Sequence, residues 1–498
     1  MNINKEISKL IEYGIKNEMI MVEDQVYVAN RIIALLGLDT FEFERVKSEV
    51  NLTDILNRIL DFAVQEGVIE KDIVALRDVF DSKLMNELMK RPSGVIKDFN
   101  LQYSKNSKAA MDWFYQLNKN SNYIRTNRIA KNMKWKTESA YGLLDITINL
   151  SKPEKTPEEI VMASKAKDSS YPKCYLCKEN EGYEGRIDHP GRANHRVIPV
   201  NLNDEEWFFQ YSPYSYFNEH AIVFKGTHDP MKISLVTFNR LLDFIEKFPH
   251  YFLGSNADLP IVGGSILSHD HFQGGCYEFP IEKAKSLLKT KIEGYPGIDL
   301  SIVDWPMSVI RISGSDKERL AELAWNIAMV WKNYNDESVG IVSHTDDEHN
   351  TVTPIARFKN NHYEVDLVLR NNRTTDEFPM GIFHPHEDVH HIKKENIGLI
   401  EVMGLAVLPK RLKNEITMIK DVLMHDKEIP KELEVHNQWI LKMKDDYSFD
   451  SDQETMEVLK DEIGKKFAKV LEDAGVFKRN EQGFAAFKEF VKSIKNIE

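Results

Sequence analysis

Ser268-His269-Asp270-His271-Phe272-Gln273-Gly274-Gly275 sets two histidines and a glutamine at spacing two. In an extended strand alternate side chains project from one face, so two imidazoles and an amide are expected to line one surface. The preceding run Leu259-Pro-Ile-Val-Gly-Gly-Ser-Ile-Leu267 is apolar and bounded by turn formers, and reads as a buried strand leading into the histidines. The glycine pair removes side chains where another backbone or a ligand must approach closely. A neutral imidazole can attack phosphorus and hold a phosphoryl group covalently, dividing one displacement into two. An amide at the third position donates hydrogen bonds to phosphoryl oxygens but supplies no proton near neutral pH. A hydrolase expelling a poor leaving group needs a titratable residue there, whereas a leaving phosphate, with a second pKa of about 6, does not. The pattern favours transfer between phosphates over hydrolysis.

The longer stretch from Ser255 and Asn256 through Gly275 resembles the class II galactose-1-phosphate uridylyltransferases, which belong to the wider histidine-triad-like superfamily. The segment His384-Pro-His-Glu-Asp-Val-His-His391 and its continuation to Gly404 resembles the same family's C-terminal signature. Gly142-Leu-Leu-Asp-Ile-Thr-Ile-Asn-Leu-Ser-Lys-Pro-Glu-Lys155 resembles an N-terminal one, and together these stretches cover most of residues 100 to 420. The resemblance implies exchange of UDP-glucose and galactose 1-phosphate to UDP-galactose and glucose 1-phosphate through a uridylylated histidine. In the class I pattern H-P-H-x-Q the second histidine is the nucleophile and the glutamine contacts the transferred phosphoryl group; these carry over to His271 and Gln273. Asp270 stands where class I has proline and leaves the spacing intact. Ser265 and Asn256 match class I phosphate-binding residues at shifted spacing, and are carried over as substrate-binding candidates. The alternative reading is a histidine-triad-like nucleotide hydrolase or nucleotide-binding regulator, against which stand Gln273 and the intact nucleophile.

Cys174 and Cys177 form a Cys-x-x-Cys, a spacing that lets two thiolates close on one tetrahedral metal. A redox dithiol or two incidental buried cysteines are the competing readings. The resemblance supplies the other half of a site: His228, after the strand ending in Phe224, and His269. The implied centre of Cys174, Cys177, His228 and His269 is a closed, structural zinc site that pins the segment carrying His271. Cys276 reads as a packed side chain.

His384, His386, His390 and His391 are dense enough for a second metal site by composition. With Lys393 and Lys394 they equally suit attraction of a sugar phosphate, or a polar loop beside the site; His384 and His386 are taken as substrate-binding candidates. Lys152, Lys155 and the loop Gly185-Arg186-Ile-Asp-His-Pro-Gly-Arg-Ala-Asn-His-Arg196 offer local positive potential, with Lys152 and Arg186 the chosen candidates. Arginine forks suit a diphosphate, although loop arginines are more often solvated charge.

A net charge of -13 argues against nucleic-acid binding. The 498 residues with 42% hydrophobic content suit about three domain-sized units. Three cysteines form no secreted framework. No signal-like amino terminus or spanning segment is visible, so a cytoplasmic enzyme acting on UDP-hexose and hexose 1-phosphate is expected, with no membrane partner. A homodimer is one open state.

Helical periodicity marks residues 1–100 through Ile7, Leu10 and Ile11, then Ile55, Ile59, Leu60 and Phe62. Between 101 and 295 come a strand at His220–Phe224, a helix from about Lys232 to Lys247 and the nucleophile motif. Residues 296–420 repeat that order: a helix opened by Ser315-Asp-Lys-Glu318 as a capping box, strands at Thr351–Phe358 and Tyr363–Arg370, then histidines. Residues 421–498 return to helix through Met456, Leu459, Ile463, Phe467 and Val470, with Gly475 placed to end it. The expected fold is α+β: duplicated histidine-triad-like half-barrel units with helical N- and C-terminal extensions.

Overall fold

Strands rich in β-branched and aromatic residues alternate with amphipathic helices along the chain. The computed structural model describes residues 2–46, 51–151, 160–162 and 169–494. In chain order the strands are β1 (Met133–Ser139), β2 (Gly142–Ile148), β3 (Ile198–Leu202), β4 (Glu205–Tyr211), β5 (Ala221–Lys225), β6 (Phe252–Gly254), β7 (His271–Gly275), β8 (Ser286–Lys291), β9 (Asp299–Val303), β10 (Val309–Gly314), β11 (Asn350–Lys359), β12 (His362–Asn371) and β13 (Leu405–Leu408).

Ten of them form one antiparallel sheet in the order β3-β4-β5-β7-β6-β11-β12-β10-β9-β8. The order exposes the duplication. Each half is three strands, a helix and two more strands, and the halves join edge to edge where Ile355 pairs with Gly254. The two helices, Leu235–Lys247 and Lys317–Lys332, occupy equivalent places and pack on each other over the same sheet face. Phe272, Leu253, Val365 and Leu367 point into that helix-covered core. By the strand's period of two, His271 and Gln273 therefore face the other side.

In the second half, β12 holds the place of β7, and its matching face carries Asp366 instead of a histidine. Asp366 is fully buried and accepts two bonds from Arg311, at 2.6 and 2.9 Å, and one from Arg357 at 2.7 Å. Both guanidiniums hold the carboxylate below its ordinary range despite burial. The second copy has thus become a closed ion-pair network.

On the face that carries His271 lies a smaller sheet, β1-β2-β13, with β13 parallel to β2. The helix Asp452–Ala474 lies across β1, and its Gly464 rests flush on Thr137, where a Cβ would sit 2.3 Å from a Thr137 carbon. The helices Ile3–Lys16, Gln25–Leu36, Leu52–Gln65 and Val74–Asn86 share their own apolar core.

Several local expectations change. The run Leu259–Leu267 is a folded-back loop rather than a strand. Pro260 and the glycines break it, and Gly263 passes so near Ala257 and Leu259 that a Cβ there would meet their carbonyls at 2.6 and 2.5 Å. The strand starts only at His271. Asp316, not Ser315, caps the helix after β10, accepting from Arg319 N at 3.0 Å. The N-terminal helical run continues beyond residue 100 through Pro92–Tyr103, Ser107–Asn120 and Thr126–Ile129, and Val95, Phe99 and Phe114 join the main core. No helix among the described residues is long and apolar enough to cross a membrane.

Candidate active site

His271 and Gln273 emerge from the middle of the first half-sheet and line a cavity of about 1010 Å³. The His271 ring is buried, and its Nδ1 donates to the backbone oxygen of His269 at 2.8 Å. That bond assigns the proton to Nδ1 and leaves Nε2 with its lone pair. Burial pulls the imidazole down to about 4, outweighing the raising effect of the carbonyl, so the ring is neutral at physiological pH. Gln273 turns its Oε1 to His220 Nε2 at 3.1 Å.

His269 does not share this face. It precedes the strand and turns to the end of β5, where its Nε2 donates to Lys225 O at 2.8 Å and its Nδ1 lies 3.3 Å from Cys174 Sγ and 3.7 Å from Cys177 Sγ. Cys177 Sγ is 3.1 Å from His228 Nδ1 and 3.5 Å from Cys174 Sγ. The four ligand atoms lie within 4.8 Å of one another. Tetrahedral zinc with Zn–S near 2.3 Å and Zn–N near 2.0 Å demands separations of roughly 3.3–3.8 Å; the pairs at 3.1–3.7 Å stand near that spacing, and the widest, at up to 4.8 Å, would draw in by about 1 Å to close on an ion. Burial opposes ionisation of both thiols. Bonds to His269, Leu176 N and Cys177 overcome it for Cys174, whose value falls, whereas Cys177 is pushed up to about 11. Two sulfurs and two imidazole nitrogens held this close are a donor set that a dication would unite by displacing the protons between them.

Asp270, between the two histidines, points to the opposite side. It meets Arg240 of the helix Leu235–Lys247 at 3.2 Å, and that guanidinium lies over Trp207, which stacks on Phe272. The strand carrying His271 is therefore held from behind as well as at its start.

The family model described as galactose-1-phosphate uridyl transferase, N-terminal domain, matches residues 18–230, and its C-terminal counterpart matches 244–441. The chain belongs to the galactose-1-phosphate uridylyltransferase family. A relative of that name from Clostridium acetobutylicum is 53% identical over 494 residues, covering 98% of this chain and 99% of its own length. The one from Halalkalibacterium halodurans is 50% identical over 98% of each chain. That of Bacillus subtilis is 47% identical over 99% of this chain and 98% of its own.

Within this uridylyltransferase-family cavity, Asn256, Ser265 and Arg186 are all on the wall with His271 and Gln273. Asn256 clamps two loops: its Oδ1 accepts from Leu399 N at 2.9 Å, and its amide sits against Gly264, where a Cβ would come within 2.7 Å. Arg186 is shared with Asp188 at 2.6 Å and Tyr183 Oη at 2.7 Å. Arg196 of the same loop is structural, donating to Lys90 O and Asn86 Oδ1. Lys152 and Lys155 lie outside the described residues.

His384 and His386 are not on the cavity wall. His384 reaches Pro385 O at 3.2 Å and Asn396 Oδ1 at 3.3 Å, and His386 reaches Ile382 O at 3.1 Å. His390 bonds Pro385 O, and His391 pairs with His436 at 2.8 Å. His384 and His390 share the Pro385 carbonyl while His386 and His391 turn to other partners, and among the described residues the four do not gather as metal ligands. Lys393 is bound to Glu401 at 2.9 Å. What this segment gives the cavity is the later stretch with Glu395, Asn396, Gly398 and Glu401.

Four wall elements lay outside the sequence reading: His220, the segment from Gln210 to Tyr216, the residues Tyr175 and Leu176 between the cysteines, and Val74, Ala75 and Asp78 of an N-terminal helix. For His220 a signal existed, since it alternates with Ile222 and Phe224 on the neighbouring strand.

Proposed function

We propose that the enzyme exchanges UMP between UDP-glucose and galactose 1-phosphate through a uridylyl group carried on His271. One observation carries the reading: a buried, neutral imidazole with its proton fixed on Nδ1 and its free nitrogen in a cavity shared with an amide. Nε2 attacks the α-phosphorus of UDP-glucose, the bond to the bridging oxygen breaks, and glucose 1-phosphate leaves with that oxygen and its electron pair. The ring becomes cationic while its Nδ1–H stays on the His269 carbonyl. A phosphate oxygen of galactose 1-phosphate then attacks the same phosphorus, the N–P bond breaks, and UDP-galactose departs. No proton is gained or lost over the cycle, so an amide suffices at position 273. Asn256, Ser265 and Arg186 are the candidates for holding the substrate phosphates.

Cys174, Cys177, His228 and His269 would hold structural zinc, whose contribution is to fix the start of the nucleophile strand. Three cysteines and a net charge of -13 suit a cytoplasmic enzyme with no nucleic-acid partner, and a homodimer is compatible with this single-chain cavity.

The test is to incubate the protein with UDP-glucose labelled at the α-phosphate and then denature it. Acid-labile, base-stable label on His271 with one equivalent of glucose 1-phosphate released is expected. Predominant UMP release would favour a hydrolase, and absence of label would leave only binding. Gln273→His is expected to slow transfer by about tenfold or more and to raise UMP leakage, because a titratable group can assist water. An unchanged ratio of UDP-galactose to UMP, measured by chromatography, would count against the amide argument.

A further inference from the structure

His220 stands at the entry to β5, which pairs with β7 so that Ile222 faces Gln273 and Ala221 faces Gly274. Two residues before Ile222 on the same face, His220 is the diagonal cross-strand neighbour of Gln273, within reach of a long side chain. Gly275 makes the approach possible. A Cβ there would lie 2.7 Å from Phe217 and 2.8 Å from the carbonyl of Glu219, the turn that delivers His220. Glu219 is itself buried at positive φ and bonded by Tyr251, whose hydroxyl meets that of Tyr211 at 2.8 Å.

We propose that His220 is a positioning residue for the transfer step, holding the Gln273 amide so that its NH2 group faces the reacting phosphoryl oxygens. This rests on the role proposed above for Gln273. An amide oxygen only accepts, so the 3.1 Å contact requires a proton on His220 Nε2. Its Nδ1 is buried and has no partner among the described residues. Burial pulls this ring down to about 4, so at neutral pH it is uncharged and carries a single N–H, which the contact with the amide oxygen places on Nε2. The two ends of an amide are nearly the same size. Without the donor at 220, Gln273 is free to turn over and present oxygen to oxygen at the phosphoryl group. Neither residue touches the proposed metal ligands through this bond, and the role is distinct from the pinning of His271 by His269.

Four variants test this: His220→Leu, His220→Gln, Gln273→Ala and the double variant His220→Leu/Gln273→Ala. Steady-state exchange is measured with both substrates, together with uridine affinity and Tm. His220→Leu is expected to lower kcat about tenfold or more while KM for galactose 1-phosphate stays within about threefold. His220→Gln, whose amide nitrogen reaches the place of Nε2, is expected to recover to within about threefold of wild type. The double variant should be no slower than Gln273→Ala alone, because residues acting through one group do not add. His220→Asn, too short to reach Gln273, gives the same loss through a smaller change and serves if the leucine variant does not fold. Additive losses in the double variant, or equal losses in His220→Gln and His220→Leu, would overturn the proposal. Wild-type kcat in Gln273→Ala would sink the reading of Gln273 itself, whatever His220 does.

Discussion

His271→Ala is expected to abolish exchange, with a loss of at least about 10⁴-fold in kcat, while Tm moves by only a few degrees. The size follows from geometry. The His269 ring is turned away toward Cys174 at 3.3 Å, and the His220 ring is spent on Gln273 at 3.1 Å. His220 keeps an Nδ1 without a partner among the described residues, but that nitrogen is buried and its ring is held by Gln273. The cavity keeps its other walls, so uridine nucleotides should still bind. The clearest measurement is the half-reaction, in which labelled glucose 1-phosphate exchanges into UDP-glucose without galactose 1-phosphate. A covalent route requires this exchange in the wild type and its loss in the variant. Exchange at more than about one hundredth of the wild-type rate would mean that phosphorus is attacked by some other group.

The features legible in the sequence are those set by short spacing. Period two in β7 puts His271 and Gln273 on one face because a strand permits nothing else. Cys174 and Cys177 close on one centre because three residues is one turn of chain. The duplicated order of strand, helix and strands survives in the register of the ten-stranded sheet. What could not be read depends on contacts between distant segments. The loop Leu259–Leu267 takes its shape from Asn256, which bridges Gly264 and Leu399, and no local pattern announces a partner that far along the chain. Composition suggested convergence of His384, His386, His390 and His391. Each imidazole instead finds a partner close to its own backbone or on the C-terminal helices, a competition that counting residues does not weigh. The wall supplied by Val74, Ala75 and Asp78 was hidden for another reason. Apolar and polar residues of Val74–Asn86 are not segregated onto opposite faces, so periodicity says neither which face that helix buries nor what the other meets.

Cys174→Ser is expected to remove bound metal and lower Tm by about 10 °C or more, with a larger loss in kcat than in substrate affinity. The four ligands come from three separate segments, at 174–177, 228 and 269, and the small apolar cluster beneath them has only Leu176, Val197, Phe208 and Phe224 at its centre. So small a core gives this segment little hydrophobic anchorage, and a metal held by the four residues would add a further constraint. Leu176 and Tyr175 line the cavity while His269 leads directly into the nucleophile strand. Loosening the centre therefore blurs the aim of His271, and transfer, which needs alignment within a fraction of an ångström, suffers before binding does. Metal analysis of the wild-type protein should give about one zinc per chain, and a strong chelator should reproduce the variant's loss of Tm. A variant that kept its zinc, or lost UDP-glucose affinity with Tm unchanged, would show instead that Cys174 faces the substrate.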